Sequence, residues 1–180
     1  MAILGIDNFK SKLVDGGARA NLFECQIQSP PILGGGEIDF ETTAFMIRAA
    51  SLPGSTLGSI EVPFRGRKLK IAGDRSYASW TITVLNDTRM PVRNFFEAWI
   101  AAVSANALNI GATNPSDYMA DMLVHQLHRD GSITKSYKLV GAWPKVISQI
   151  DLSAETTDQV QTFTVELEYQ YWLPETAGFE

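Results

Sequence analysis

Residues 160–172 read VQTFTVELEYQYW, and their alternation decides the fold class. Phe163, Val165, Leu167, Tyr169 and Tyr171 fall on one side of an extended chain, with Thr162, Thr164, Glu166, Glu168 and Gln170 on the other. Successive side chains of a strand point to opposite faces. The segment therefore predicts a strand, the longest of the chain, with one face in a core and the other in water. WTITVL at residues 80–85 repeats the pattern, with Trp80, Ile82 and Val84 set against Thr81 and Thr83. The protein is expected to be mainly β.

Working outward, residues 21–28 have strand length and end in Ser-Pro-Pro. Residues 43–52 and 57–64 predict two strands around Pro53-Gly54, a dipeptide suited to a type II turn. Residues 67–72 set Leu69 and Ile71 against Lys68 and Lys70, as in a half-exposed strand, and Ala72-Gly73 reads as the turn inside KLKIAGDRSYASW (68–80). Asp130-Gly131 joins MADMLVHQLHR to ITKSYKLVGA and suits a two-residue type I′ hairpin. A further short strand is expected over 145–152. The glycine-rich loop at 29–37 lacks the Gly-Lys-Ser/Thr of a phosphate loop.

The period changes once. Val92, Phe95, Phe96, Trp99, Ile100 and Val103 recur at helical spacing behind Pro91, predicting a helix over about 90–105 whose Phe95, Phe96, Trp99 and Ile100 face the core. At about 1.5 to 3 kcal/mol per buried side chain, that stripe contributes on the order of 10 kcal/mol, so the helix must cover a sheet. Ile6, Phe9 and Leu13 share a face ahead of Gly16-Gly17, predicting a short amphipathic helix in an N-terminal arm, residues 1–20. MAILGIDNFKSKL, with Asp7 inside it and no basic leader, reads as neither a membrane span nor a signal peptide.

At 180 residues the chain has the size of one large domain, and a globule of this length buries roughly 70% of its unfolded surface. A net charge of −5 argues against a protein whose main business is gripping nucleic acid or an anionic membrane. The lone Cys25 has no bridging partner and reads as a small buried hydrophobe. His125 and His128, three apart on a strand, point to opposite faces and cannot share a metal. No nucleophile elbow, zinc-protease helix, Walker loop or dinucleotide fingerprint occurs. Glu166 and Glu168 share a strand face, but such carboxylates are more often solvated than a glycosidase-like pair. No catalytic residue, metal or cofactor is expected.

Charge is unevenly placed. Residues 65–75 carry five cations (Arg65, Arg67, Lys68, Lys70, Arg75) and one acid (Asp74), whereas residues 151–180 carry seven acids and no Lys or Arg. Opposite patches on one subunit permit head-to-tail association into rings or filaments. The basic stretch reads as a docking surface, as internal charge in which Arg75 or Asp74 bridges the turn, or as a nucleic-acid contact with Phe64, Tyr77 and Trp80 as stacking platforms.

IAGDR (71–75) followed by Trp80, then GAWP (141–144), then QTFTVELEYQYW (161–172) resembles the tail tube proteins of contractile-tailed, T4-like bacteriophages. The resemblance runs in order from about residue 21 to 172, leaving residues 173–180 and the glycine triplet outside it. It implies a β-sandwich or small barrel of roughly orthogonal antiparallel sheets with one flanking helix, and a single tail-tube domain over 21–172 between the arm and a C-terminal tail. It further implies hexameric rings stacked head to tail into a virion tail tube, assembled in the host cytoplasm. The implied partners are tail sheath, baseplate and tape-measure proteins, with genomic DNA passing transiently and no membrane anchor. Type VI secretion tubes and bacteriocin-like particles are similar in fold. A tube-like baseplate or tail-completion protein of the same fold is the near alternative, a nucleic-acid-binding β-barrel a more distant one. Thr162, Thr164, Glu166 and Glu168 become candidates for the lumen wall. Six copies at −5 carry about −30, a charge that discourages DNA from adhering.

Overall fold

The computed structural model describes residues 6–13, 17–34, 40–107, 110–155 and 157–175. Its elements are α1 (Ile6–Lys12), β1 (Phe23–Ile27), a 3-10 turn (Pro31–Leu33), α2 (Phe40–Met46), β2 (Ile47–Ala50), β3 (Thr56–Phe64) and β4 (Arg67–Ser76). Then follow β5 (Trp80–Leu85), α3 (Pro91–Val103), α4 (Pro115–Tyr118), β6 (Ala120–Leu127), β7 (Ile133–Ile147), β8 (Thr162–Glu168) and β9 (Tyr171–Glu175). The protein is mainly β, with antiparallel pairing throughout the described strands.

Seven strands make one bent sheet in the order β1-β6-β7-β8-β5-β2, with β9 also on β7. The bend lies in β7, whose first part pairs with β6 and β9 and whose last part, from Trp143, pairs with β8. Gly141 sits at the switch with φ +64°, a conformation glycine adopts without steric cost. A Cβ there would stand 3.0 Å from the Gln170 side chain and 3.4 Å from the Met119 sulfur. Trp80, Ile82 and Val84 from β5 meet Phe163, Val165 and Leu167 from β8, and α3 closes the core with Val92, Phe95, Phe96 and Trp99. Ile100 is half-buried at the margin of that face. Trp99 donates its indole N–H to the Tyr118 carbonyl at 2.8 Å, and Arg93 reaches the Ser148 carbonyl at 3.2 Å, so both ends of the helix are fastened.

Several expectations change. β1 and β2 stand at the two ends of the strand order without pairing, so among the described residues the barrel does not close. The short N-terminal helix forms as α1, but helix α3 is not the only other helix, because α2 and α4 accompany it. Residues 43–46, expected as strand, belong to α2: the β-favouring Thr43 and Phe45 are overridden where the helix packs beside β1. The long strand over 160–172 is broken after Glu168, and β8 and β9 pair with different parts of β7. At 15 residues β7 is the longest described strand; of the separate strand expected over 145–152 it takes up only residues 145–147, and 148–152 are not strand. Gly54 does not have positive φ, which rules out a type II turn; residues 51–55 link the main sheet to an independent two-stranded sheet of β3 and β4. Ala72-Gly73 lies inside β4 and is no turn.

The type I′ turn was also expected in the wrong hairpin. Between β6 and β7 only Gly131 has positive φ, and the His128 amide donates to the Ser132 carbonyl at 2.8 Å across a three-residue loop. There Asp130 accepts from the Ser132 hydroxyl and amide, which with nearby His128 holds its carboxyl down at about 2. The β3–β4 connection has positive φ at both central residues, Arg65 (+45°) and Gly66 (+80°), the type I′ signature. Of the glycine triplet, Gly34 caps the 3-10 turn with φ +63°, and Gly35 and Gly36 lie outside the described residues.

Candidate functional site

The β3–β4 hairpin holds the basic stretch. Its register sets Ile60 opposite Ile71, Val62 opposite Leu69 and Phe64 opposite Arg67, while Glu61 faces Lys70 and Pro63 faces Lys68. Opposite residues of an antiparallel pair share a face, so one side of the ribbon is apolar, with Arg67 at its tip, and the other charged. Among the described residues no core covers the apolar side: Phe64 is 67% exposed, Leu69 60% and Ile60 55%, with Ile71 and Val62 also exposed. The half-exposed strand expected over 67–72 is thus exposed on both faces.

On the charged side Glu61 pairs with Lys68 at 2.6 Å and more loosely with Lys70 at 3.9 Å. Both pairs are solvated and add little to stability. Arg65 lies over the Phe64 ring at the tip, 5.4 Å from its centroid, and Arg67 stands beside it. Near the base, Asp74 and Arg75 make no ion pair among the described residues. Hairpin geometry therefore brings the six predicted charged residues onto one projecting ribbon. The apolar stripe beside them was missed, although its alternation stands in the sequence.

The hairpin is tied to the body at its base. The Trp80 indole N–H donates to the Ser51 carbonyl at 2.6 Å, and the Trp172 indole N–H to the Gly54 carbonyl at 3.2 Å. Beyond β4, Tyr77 packs on Tyr169 with ring centroids 5.9 Å apart, and Ser79 donates to Glu166 at 2.6 Å.

A second polar surface is the outer face of β5 and β8. Thr81 lies opposite Glu166, Thr83 opposite Thr164 and Leu85 opposite Thr162, so the four candidate wall residues of β8 do share a face. That face is less anionic than its sequence, because Lys145 reaches Glu168 at 2.7 Å and Glu166 at 3.8 Å. The seven C-terminal acids are thereby divided. Glu166 and Glu168 are engaged on the sheet, Asp151, Glu155 and Asp158 are exposed on the loop after β7, Glu175 ends β9, and Glu180 lies outside the described residues.

His125 is buried in a 2.6 Å hydrogen bond with Ser136, and His128 lies in the β6–β7 turn, 3.3 Å from Asp130. No cluster of three or more metal-ligating side chains occurs among the described residues. Burial, with the Glu24 charge adding to it, pushes the Cys25 thiol up to about 12, so it stays protonated at neutral pH. The proposed stacking platform is not available as a set: Trp80 is 1% exposed and Tyr77 packs against Tyr169. No described helix is long and apolar enough to cross a membrane.

Residues 18–175 match the family model described as phage tail tube protein. The tail tube protein of Enterobacteria phage T4 is 32% identical over 156 residues, which cover 86% of this chain and 90% of that protein. The tail tube protein of Serratia phage KSP90 is 32% identical over 117 residues, 65% of this chain and 66% of that one. Among solved structures, a chain of the anti-feeding prophage baseplate superposes with TM-score 0.63 at 19% identity, covering 90% of this chain and 97% of its own. A chain of the extended sheath-tube complex of an extracellular contractile injection system superposes with TM-score 0.61 at 13% identity, covering 93% and 97%. At such identities these two likenesses concern the fold.

Proposed function

Because the chain belongs to the phage tail tube protein family, we propose that it polymerises as stacked hexameric rings into the inner tube of a contractile tail. Its role is structural and not catalytic: it forms part of the conduit. In this reading the arm (1–20), the β domain (21–172) and the tail (173–180) serve assembly in the host cytoplasm. Tail sheath, baseplate and tape-measure proteins are the partners, and genomic DNA passes through without specific binding.

The β3–β4 hairpin carries the proposal. A two-stranded ribbon with no core behind it is marginal in water. One whose apolar face is left open is expected where another molecule covers it. Burying the rest of Ile60, Val62, Phe64, Leu69 and Ile71 contributes on the order of 5 kcal/mol. Arg65, Arg67, Lys68 and Lys70 then set orientation against acids of an adjoining subunit, with Asp151, Glu155 and Asp158 the exposed candidates. Unpaired edges at β1 and β2 are hazardous in a monomer and suit pairing across subunits, which completes the barrel that one chain leaves open. The face of Thr162, Thr164, Glu166 and Glu168, with Thr81 and Thr83, then lines the bore.

Negative-stain microscopy of the purified protein tests the reading, with hollow filaments of uniform width as the expected result. Replacing Arg65, Arg67 and Lys68 together with Glu is expected to abolish filaments and leave a folded monomer; unimpaired tubes would remove the hairpin from the interface. The fold shared with a baseplate chain favours one second reading, a ring present once per particle. Isolated rings in place of long tubes would select it.

A further inference from the structure

The hairpin projects from the body, yet both ends of it are held. Trp80 begins β5 immediately after the hairpin's exit, and its indole bonds the Ser51 carbonyl at the hairpin's entry, so one buried side chain closes the loop at its base. Tyr77 on Tyr169 and Ser79 on Glu166 fasten the exit to β8 and the residue after it. The remaining tie comes from the far end of the chain: Trp172, on β9, donates to Gly54 two residues before β3. Trp172 is seated by an edge-on contact with Tyr137 of β7, centroids 5.4 Å apart, and by its place opposite Leu139.

We infer that this base clamp sets the direction in which the hairpin points, and that Trp172 is its adjustable member, a positioning residue that couples the C-terminal strand to the docking surface. The inference rests on the assembly reading for its consequence but not for its geometry. Trp80 is wholly buried and serves the core whatever the hairpin does. Trp172 is only partly buried, and β9 is held to the body by β7 alone among the described strands. Losing its bond loosens the entry segment between Ser51, still held by Trp80, and β3 without opening the core. A tube must repeat one docking angle at every subunit, so a hairpin that swings has the same contact chemistry and fails to propagate it. Whatever engages β9 in the particle also bears on the hairpin's aim.

Trp172→Phe keeps a ring against Tyr137 and removes only the indole N–H. Nitroxide labels at Arg67→Cys and Arg129→Cys, both exposed in the parent, report the angle between hairpin and body in the monomer; buried Cys25 stays unlabelled. The expected results are a broadened distance distribution and a critical concentration for filaments about tenfold higher, the equivalent of one net hydrogen bond. The thermal midpoint is expected to stay within about 2 °C. Inserting Gly-Gly after Ser55 uncouples the hairpin without touching the body and is expected to reproduce both effects, which covers the case of a poorly folding Trp172 variant. An unchanged distance distribution in a folded Trp172→Phe overturns the clamp. Broadening with normal assembly overturns its role in positioning. A parent that never polymerises defeats the tube reading, while the distance measurement still decides the clamp.

Discussion

Strands β4 and β5 are written in the same alternation and meet opposite fates. In β5 the apolar set Trp80, Ile82 and Val84 is no more than 1% exposed; in β4 Leu69 is 60% exposed and Ile71 48%. Both are amphipathic strands in antiparallel pairs, and both stand beside a strand of matching polarity. The difference is that α3 and the bent sheet close over β5, whereas among the described residues no core covers the β3–β4 face. Period-two patterning records which face wants cover; it does not record whose atoms supply it. Under the proposed assembly, an apolar strand face without a core is a statement about neighbours.

The comparison is broken most severely from the body's side. Trp99→Ala removes a fully buried indole stacked on Phe96 and bonded to Tyr118, and is expected to cost about 3 to 5 kcal/mol in urea denaturation. Soluble monomer and tubes should be lost together. The converse change is Ile60→Asp with Ile71→Asp on the hairpin. It is expected to move the monomer's unfolding free energy by no more than about 0.5 kcal/mol, as for surface sites. Sedimentation should nevertheless show assembly weakened on the order of 100-fold or more, the loss of two buried side chains at the interface. If the double variant unfolds the body, the hairpin is packed in cis and the contrast with β5 disappears.

How much was legible follows the same division. β5, α3 and the β6–β7 hairpin could be read because their patterning, Pro91 and Asp130-Gly131 act locally. The bend in β7 could not, since alternation resumes on either side of Gly141 and a change of partner leaves no local mark. Nor could α2, where Thr43, Phe45 and Ile47 spell a strand and only tertiary packing makes the first two helical. At the candidate site the cations were visible as a cluster in sequence; the ribbon that carries them was not, because the sequence suggests a turn at Ala72-Gly73 and not at Arg65-Gly66. Of the apolar stripe, Leu69 and Ile71 read as one face of a half-exposed strand and Ile60 and Val62 were not singled out, because sequence does not show whether a core lies behind a strand.

Glycines sharpen the contrast at a smaller scale. Gly66 and Gly141 share positive φ, so alanine costs about 1 kcal/mol or more of backbone strain at either place. A Cβ at Gly66 meets open space, while at Gly141 it crowds Gln170. Gly141→Ala is expected to lower body stability by about 1 to 3 kcal/mol, since packing strain adds to the backbone term. Gly66→Ala should leave the body's unfolding midpoint unchanged and reduce assembly, because its turn belongs to a unit that does not contribute to the core. A fall in body stability for Gly66→Ala would mean that hairpin and sheet unfold as one.

The smallest effect tests whether the body's surface obeys ordinary linkage, independent of the hairpin. Burial raises the Asp121 carboxyl, but Lys138 at 2.9 Å and the Gly141 amide at 3.0 Å more than offset it and leave it below its usual value. A lowered carboxylate stabilises the fold above its unfolded value of about 3.9, and that contribution is lost as pH falls through the lower folded value. Lys138, raised chiefly by its hydrogen bond to Asp121, has the opposite sense: its share is present below its ordinary range near 10.4 and lost as pH rises past it. Asp121→Asn keeps an oxygen for the Gly141 amide and removes the charge. With both side chains about a third exposed, the variant should be less stable by under about 1 kcal/mol at pH 7. In urea titrations the gap from the parent should close as pH falls through the lowered folded value, where the parent's own carboxyl becomes protonated. A gap that persists in acid would transfer the stabilisation from the ion pair to the hydrogen bond at the β7 bend, tying Asp121 to Gly141 and to the change of partner that shapes the sheet.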